Sequence, residues 1–288
     1  MRSPVSVLAC AVAVLALSSS CGRKEVQEPA VATPSLTLSH DKVPIGSPVK
    51  LTYKFVVAPD AKVPAGDWWV FVHVLDPTGE QLWTDDHLPA PPPAEWKPGQ
   101  TIEYTRTVFV PNFPYIGEAA IRLGIYERAS GNRLTLNATA ASRKEYVVSK
   151  FQLLPQSENI FLIYKDGWHP TEIAGDNATS EWQWTRKTAT ISLKNPKKDV
   201  TFYLDSDARP DLFTPPQQVT IRVGNTQIAT FAADSRARKL LTFPISAAQL
   251  GTGDMTEIVL DVDRTFTPGA GDTRELGIRV FHAFVDPK

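Results

Sequence analysis

The most restrictive feature of this sequence is the way its prolines interrupt its apolar segments. The 288 residues include 24 prolines, which separate short runs of β-branched and aromatic residues. Proline breaks helices, whereas β-branched and aromatic side chains suit strands. In one such run, Ile121, Leu123 and Ile125 alternate with small or polar residues, as in a strand with one buried face. The sequence therefore predicts an all-β fold made of antiparallel β-sandwiches.

Candidate strands follow one another at the spacing expected of sandwiches. Those in the first half of the chain cover 35–39, 49–56, 69–75, 80–84, 101–110, 119–126, 133–136 and 145–152. Those in the second half cover 159–164, 181–184, 188–193, 200–204, 218–223, 226–231, 239–245, 257–262 and 274–285. Asp76 and Pro77 predict a type I turn between two strands, and Gly224 with Asn225 predicts a second compact hairpin.

The length of the chain suggests two domains after an N-terminal leader, at about 150 residues per domain. We predict a signal peptide over 1–20, and a lipidated cysteine with a flexible tether over 21–34. A first sandwich over 35–152, a linker over 153–158 and a second sandwich over 159–288 follow. The fold class is thus all-β, with two antiparallel β-sandwich domains in tandem after a lipoprotein signal peptide.

The leader begins with Met1-Arg2 and continues with an apolar run from Val5 to Leu17. This run is too short to span a bilayer and suits a signal-peptide core. Three serines precede Cys21, and the segment resembles a bacterial lipobox. Cys10 has a closer local match but too little apolar sequence before it, so Cys21 is the predicted lipidation site. An ordinary secretory signal with a chance cysteine is the alternative.

The predicted anchor implies a compartment. Several acyl chains on Cys21 would hold the protein durably on a membrane. Gly22, rather than aspartate, follows the cysteine, and the resemblance to Gram-negative sorting signals implies the outer membrane rather than the inner. The chain has only two cysteines, Cys10 and Cys21, so no disulfide is predicted in the folded part. We expect a lipid-anchored protein of the bacterial cell envelope, exposed to the periplasm.

Composition gives no reason to expect nucleic acid as a partner, because the formal net charge is only −1. The sequence has no nucleophile elbow, zinc-protease, phosphate-loop or dinucleotide-binding motif. We therefore predict no enzyme and no cofactor, although a triad or carboxylate pair assembled from distant residues stays open. Asp261 and Asp263 share one face of a strand. Neutralisation by the adjacent Arg264 is one interpretation, and pairing with Arg274 or Arg279 is the favoured one.

Two groups of residues carry metal-ligating side chains. Residues 85–87 (DDH), with His73 on the facing strand, offer imidazole and carboxylate ligands. Asp205, Asp207 and Asp211 offer oxygen ligands of the kind that calcium takes. A solvated strand end and a plain aspartate-rich turn are the favoured alternatives, so we predict no metal site.

Two sets of motifs resemble known modules. FVHVLDPTG (71–79), DDH (85–87), EWKPG (95–99) and LGIYE (123–127) resemble immunoglobulin-like or fibronectin-like modules that accompany bacterial envelope membrane proteins, including glycosyltransferases. DGWHP (166–170), DRTFTP (263–268) and DTRELG (272–277) resemble a jelly-roll module similar to carbohydrate-binding modules. These resemblances support the fold of each module better than they support a particular functional site.

Tryptophans are the candidate ligand-binding residues. Trp182 and Trp184 lie on one face of a predicted strand, since side chains repeat every second residue. Trp168 lies in a predicted turn, where its ring could stack on a sugar, and Arg264 could supply hydrogen bonds. Burial of Trp182 and Trp184 in the core is the favoured interpretation for both, with ligand binding as the alternative, and Trp168 is open to either interpretation.

Three functions remain for comparison. The leading hypothesis is a non-catalytic envelope lipoprotein that binds envelope glycan through the second sandwich. The second is an interaction scaffold that docks an envelope protein partner through strand edges or an aromatic patch. The third is an envelope enzyme that acts on polysaccharide.

Overall fold

The computed structural model describes residues 28–112, 115–174 and 177–288, with only the backbone described for 177–180. The predicted signal peptide (1–20), Cys21 and the first part of the predicted tether lie outside the described residues. No helix among the described residues is long and apolar enough to cross a membrane.

Strands account for nearly all regular structure in the described part of the chain. The first nine are Ala32–Leu38 (β1), Lys42–Pro44 (β2), Pro48–Val57 (β3), Trp68–Leu75 (β4), Gln81–Thr84 (β5), Thr101–Phe109 (β6), Gly117–Glu127 (β7), Ala140–Ser142 (β8) and Glu145–Leu154 (β9). The next ten are Leu162–Tyr164 (β10), Glu172–Ala174 (β11), Asn177–Trp184 (β12), Thr188–Lys194 (β13), Val200–Asp207 (β14), Gln217–Val223 (β15), Thr226–Ala233 (β16), Lys239–Ile245 (β17), Met255–Val262 (β18) and Arg279–Pro287 (β19). One short helix, Ala247–Leu250 (α1), precedes β18.

The N-terminal sandwich (32–154) is built from two sheets. One has the order β1-β3-β6, and the other has the order β2-β9-β7-β4-β5 with β8 paired to β9. All of these pairs are antiparallel except β2 with β9. Fully buried side chains from both sheets, such as Phe55 from one and Ile125 from the other, meet in a single core. Their burial excludes water from the space between the sheets, which holds the sheets together.

The C-terminal sandwich (162–287) also has two sheets, in the orders β10-β13-β18-β15-β16 and β11-β12-β19-β14-β17. Its core is separate from the first and includes Ile191, Ile221 and Leu260 from one sheet and Phe202 and Leu204 from the other. The outer face of the sheet that contains β14 and β19 carries polar and aromatic residues. That face is turned toward the N-terminal sandwich.

The predicted all-β sandwich fold is confirmed. The Asp76 side chain accepts hydrogen bonds from the backbone amides of Thr78 and Glu80, which closes the predicted turn between β4 and β5. Gly224 and Asn225 join β15 to β16, as expected. The predicted strand at 133–136 makes only isolated bridges. The three-residue strands β2, β8 and β11 and the helix α1 were not predicted, because so few residues carry no readable periodicity.

Both ends of the N-terminal sandwich extend further than predicted. β1 begins at Ala32 rather than at residue 35, because Val31 and Ala32 are buried and the Val31 amide donates to the Thr135 carbonyl. β9 runs to Leu154, beyond the expected end at 152. The Asn159 side chain donates to the Ile45 carbonyl at 2.9 Å. The segment between the sandwiches is therefore held against the first of them.

Candidate functional site

A cleft of about 1390 Å³ lies between the two sandwiches. One wall comes from β5 and β6 of the N-terminal sandwich, and the opposite wall from the outer face of β14, β17 and β19. The segment 156–162 forms a third side. Clefts between structural units are common sites for ligands.

An aromatic contact joins the two walls. Phe109, at the end of β6, stacks on the His282 ring with centroids 5.2 Å apart and planes 18° apart. The same phenyl ring makes edge contacts with Tyr203 and Phe284, each at 6.4 Å. These rings desolvate one another and bring β6 against the sheet that contains β14 and β19. The contact thereby sets the separation of the cleft walls.

An ion pair between Asp85 and Arg106 forms the polar part of the N-terminal wall. The guanidinium donates from Nε at 2.9 Å and from Nη2 at 2.7 Å to the two carboxylate oxygens. The Tyr53 hydroxyl donates to the same carboxylate at 3.1 Å. Only 10% of the Asp85 side chain is exposed, whereas Arg106 is 37% exposed. A buried carboxylate therefore holds a guanidinium that still reaches the cleft.

His87 and Tyr104 extend this pair into a buried network. His87 Nδ1 lies 2.7 Å from the Asp85 carbonyl, which can only accept, and Nε2 lies 2.8 Å from the Tyr104 hydroxyl. Burial lowers the pKa of His87 and raises the pKa of Tyr53 and Tyr104, so all three rings are uncharged at neutral pH. Neutral partners with fixed hydrogen bonds make this wall rigid.

The C-terminal wall repeats the same pairing with Asp205 and Arg238. The Arg238 guanidinium donates from Nε at 3.2 Å and also from Nη2 to the Asp205 carboxylate. Burial opposes ionisation of Asp205, but the nearby His282 ring and the hydrogen-bonded Arg238 guanidinium outweigh it and hold the pKa of Asp205 below its usual range. Arg238 is 43% exposed. Both walls thus present a guanidinium that a buried aspartate orients.

Phe161 lies at the third side of the cleft. Its side chain is 80% exposed, the highest exposure among the large apolar residues of the described chain. It precedes β10 and lines the cleft together with Asn159 and Leu162. A phenyl ring left in water carries an unfavourable hydration cost that a bound apolar surface would remove.

A layer of aromatic rings and arginines continues from the cleft along the same outer face. The Arg279 guanidinium lies 5.2 Å from the Trp182 ring and 5.6 Å from the Trp184 ring. Asp207, with 2% of its side chain exposed, holds Arg279 in place. Arg238 lies 4.3 Å over Phe281 in the same layer. In each case the distance between the guanidinium and the ring is typical of a cation–π contact.

Trp182 and Trp184 lie on one face of β12, but their side chains are buried to different extents. Trp184 is buried, with 8% exposed, and its ring meets Phe266 edge-on at 5.6 Å. Trp182 is partly buried, and its indole nitrogen has no hydrogen-bond partner among the described residues. Trp184 therefore acts as a packing residue, while part of the Trp182 ring remains accessible.

Trp168 is held against the C-terminal core. Its indole N–H donates to the Thr190 carbonyl at 2.9 Å, and its ring meets Tyr164 edge-on at 4.7 Å. Gly167, at φ +84°, lets the chain approach β13 so closely that a Cβ would lie 1.8 Å from the Thr188 carbonyl oxygen. Of the two interpretations left open for Trp168, the structure favours packing, because the turn places the ring against the core.

Arg264 is likewise engaged within its own loop. Its guanidinium donates to Asp263 at 3.2 Å and to the carbonyls of Pro215 and Pro216 at 2.6 and 3.0 Å. It also lies 5.1 Å from the Phe213 ring. Neither Trp168 nor Arg264 lines the cleft.

The residues weighed as metal ligands have other partners. His73 lies 3.3 Å from Glu145 rather than beside residues 85–87, and Asp86 accepts from the Val72 amide. Asp211 forms ion pairs with two arginines, and Asp205 and Asp207 each form an ion pair with one arginine. Within the described ranges, no three histidine, cysteine or acidic side chains are grouped to hold a metal ion.

The favoured partners of Asp261 and Asp263, Arg274 and Arg279, were wrong, whereas the adjacent Arg264 does pair with one of the two aspartates. Asp261 pairs with Arg222 at 2.5 Å, and Asp263 pairs with Arg264. Arg222 faces Asp261 from the neighbouring strand β15, a pairing that only the strand order defines. Arg274 pairs with Glu172 and Asp272 instead.

Sequence reasoning missed the residues that form the cleft, chiefly Phe161, Arg106, Arg238 and Phe109. Phe161 lies within the predicted strand 159–164, and an aromatic residue is common in a strand. Arg106 and Arg238 lie in charged or alternating segments with no motif around them. Each becomes noteworthy only because the two sandwiches meet.

Comparison with known proteins adds little to this geometry. No family model matches the sequence, and no curated protein matches it. A solved structure of the alkylpurine DNA glycosylase AlkC of Pseudomonas fluorescens, bound to DNA with an abasic-site analogue, is similar with 14% identity and a TM-score of 0.25. The match covers 43% of this chain and 30% of the glycosylase. The C-terminal domain of AspA, an antigen I/II-family protein of Streptococcus pyogenes, is similar with 9% identity and a TM-score of 0.27, over 89% and 91% of the two chains. Such low TM-scores carry no functional argument.

Proposed function

We propose that this protein is a non-catalytic lipoprotein of the bacterial cell envelope that binds envelope glycan. The proposed site is the cleft between the sandwiches, where the C-terminal sandwich supplies one wall. Sugar rings have apolar C–H faces and polar hydroxyl edges, so their sites combine aromatic surfaces with fixed donors and acceptors. The cleft offers this combination in Phe161, the Asp85–Arg106 pair and the Asp205–Arg238 pair.

The single observation that carries this proposal is the exposure of Phe161. An 80% exposed phenyl ring lines a cleft that also contains oriented polar side chains. Burying that ring against the apolar face of a sugar would stabilise a complex by about 1 kcal/mol or more. The earlier candidate Trp168 is less suited to stacking, because its ring is already packed against Tyr164.

A non-catalytic role is supported by the state of two of the three cleft carboxylates, Asp85 and Asp205. Asp85 and Asp205 each accept two hydrogen bonds from an arginine. A general acid for glycoside hydrolysis needs a raised pKa, whereas the pKa of Asp205 is lowered. The buried aspartates therefore suit the task of orienting the arginines.

The anchor and the location rest on the sequence. Lipidation of Cys21 would attach the protein to a membrane, and Gly22 after it favours the outer membrane. Fatty-acid labelling of the wild-type chain and a Cys21→Ser variant tests this: we expect label and membrane retention only in the wild type. Equal labelling of both chains would refute lipidation at Cys21.

Glycan binding is tested with a screen of bacterial envelope glycans against the full chain. The chain is purified in a polyoxyethylene detergent, which has no sugar headgroup to compete. We expect Phe161→Ala to weaken binding at least about tenfold. Met255→Ala, at a 50% exposed apolar residue away from the cleft, is the matched control and should bind like the wild type. If no glycan binds, or if both variants bind equally well, the proposal fails.

A second candidate function is an interaction scaffold, and one strand edge favours it. β16 lies at the edge of its sheet, and its eight residues, TQIATFAA, include no charge and no proline. Such an edge can accept a strand from a partner. A Thr230→Lys variant should then release a co-purifying envelope protein without changing glycan binding. Retention of the same protein by the variant would exclude this edge as its docking site.

A further inference from the structure

The charges that line the cleft define the kind of ligand it accepts. Asp85, Glu181 and Asp205 are the carboxylates in the lining, and Arg106 and Arg238 are the arginines. Together these three carboxylates and two guanidinium groups carry a formal charge of −1. The cleft therefore holds no excess of positive charge for an anionic ligand.

The pairing inside each wall strengthens this point. Asp85 takes the Nε and Nη2 donors of Arg106, and Asp205 takes the same two nitrogens of Arg238. A guanidinium has five N–H donors, so each arginine retains donors for a ligand. Its charge, however, is already balanced by a carboxylate in contact with it. Such a donor is well suited to a hydroxyl oxygen.

An anionic group would meet opposing charges in the same cleft. A ligand carboxylate placed against Arg106 or Arg238 would lie near the aspartate that holds that arginine. Like charges at such separations repel, and burial within a cleft strengthens the repulsion. Asp205 does not gain a proton easily, because its pKa is lowered. Acidic sugars are therefore disfavoured at both walls.

We infer that the ligand of the cleft is an uncharged sugar chain that contacts both sandwiches at once, with Arg106 donating to its hydroxyl groups from one wall and Arg238 from the other. This inference rests on the proposed function, because it names the class of glycan bound at the same site. It also gives the N-terminal sandwich a part in recognition that the sequence did not predict.

The test is a calorimetric comparison of hexasaccharides with the full chain in the same detergent. The panel contains neutral hexasaccharides and, for each, a counterpart of the same linkage with uronic acid units. We expect a neutral member to bind, with a dissociation constant that changes less than about twofold between about 0.05 and 0.5 M NaCl. Its uronic acid counterpart should bind at least about tenfold more weakly.

Two variants sharpen the comparison. Glu181→Arg changes the lining charge without touching either aspartate pair, and it should narrow the difference between the neutral and uronic acid probes. Arg106→Lys should weaken neutral binding several-fold, because lysine cannot hold the two-point contact with Asp85 while donating to a ligand. Lys54, on β3 outside the cleft, provides the control Lys54→Arg, which should bind like the wild type.

The outcomes separate the two proposals. Tighter, salt-sensitive binding of the uronic acid probes would overturn the inference and leave glycan binding intact. Neutral binding that is unaffected by Arg106→Lys would also overturn it, because the N-terminal wall would then take no part. Failure of every probe to bind would remove both the inference and the proposed function.

Discussion

Phe161 and Trp168 lie seven residues apart on either side of β10, yet their rings have opposite environments. Phe161 is 80% exposed in the cleft, whereas Trp168 packs on Tyr164 and donates to Thr190. The larger and more polar ring is the one that is partly buried against the core. Exposure of an aromatic residue on a loop therefore depends on what the loop packs against rather than on the residue type.

The cause of the difference is local backbone geometry on one side and the meeting of two sandwiches on the other. Gly167 allows the Trp168 turn to lie directly on β13. The Asn159 side chain donates to the Ile45 carbonyl and thereby holds the segment before β10 against the N-terminal sandwich. Phe161 belongs to this connecting segment and is therefore not packed on the C-terminal core. Four substitutions test this contrast.

The largest effect is expected for Gly167→Ala. A Cβ at this position would lie 1.8 Å from the Thr188 carbonyl oxygen, in a backbone conformation that alanine adopts unwillingly. We expect a loss of about 4 kcal/mol in the free energy of unfolding, measured by urea denaturation. Gly269→Ala is the control, since Gly269 has a similar φ of +80° with nothing within 4 Å, and it should lose only about 1 kcal/mol. Equal losses would show that the close approach to β13 is unimportant.

Trp168→Ala should have the next largest effect. It removes a ring that packs on the C-terminal core and leaves the Thr190 carbonyl without its indole donor. We expect a loss of about 3 kcal/mol in the same assay, with glycan affinity retained by the folded fraction. A variant that is as stable as the wild type but does not bind glycan would show that the binding site includes Trp168.

Trp168→Phe separates packing from hydrogen bonding. The ring contact with Tyr164 is retained in part, while the donor to Thr190 is lost. We expect a loss of about 1 to 2 kcal/mol, intermediate between the wild type and Trp168→Ala. Thermal unfolding of the three chains side by side checks the order. A loss as large as that of the alanine variant would assign the whole effect to the hydrogen bond.

The smallest effect on stability is expected for Phe161→Ala. Since the ring is 80% exposed, its removal should change the free energy of unfolding by less than about 0.5 kcal/mol. The same variant is expected to lose glycan binding, so stability and binding should separate completely. A loss above about 1 kcal/mol in the free energy of unfolding would show that the Phe161 ring packs against other residues and is not available to stack on a sugar.

Much of the fold could be predicted from the sequence, because alternation along a strand is a local signal. The alternating segment around Ile121 became β7, with Ile121, Leu123 and Ile125 fully buried or nearly so. The three-residue strands β2, β8 and β11 were not predicted, since three residues carry no readable periodicity, and the partner of a strand can also lie far along the chain. β2, for example, pairs in parallel with β9, more than a hundred residues later.

The candidate site was predicted less well. The sequence singled out the tryptophans because indole rings often stack on sugars, and Trp182 does remain partly accessible. It could not identify the Arg106 and Arg238 pairs, because each arginine is oriented by an aspartate from a different segment of the chain. Pairings of this kind follow from strand order and register.

The sequence by itself determined that the chain forms antiparallel sandwiches, since proline spacing and two-residue alternation act within each short segment. It also carries the predicted leader and Cys21, from which the envelope location is proposed. Only the tertiary structure decided that Trp168 lies on a core, that Phe161 remains in solvent and that two guanidinium groups line one cleft. Those outcomes arise where distant segments exclude water from one another, and no single segment contains that information.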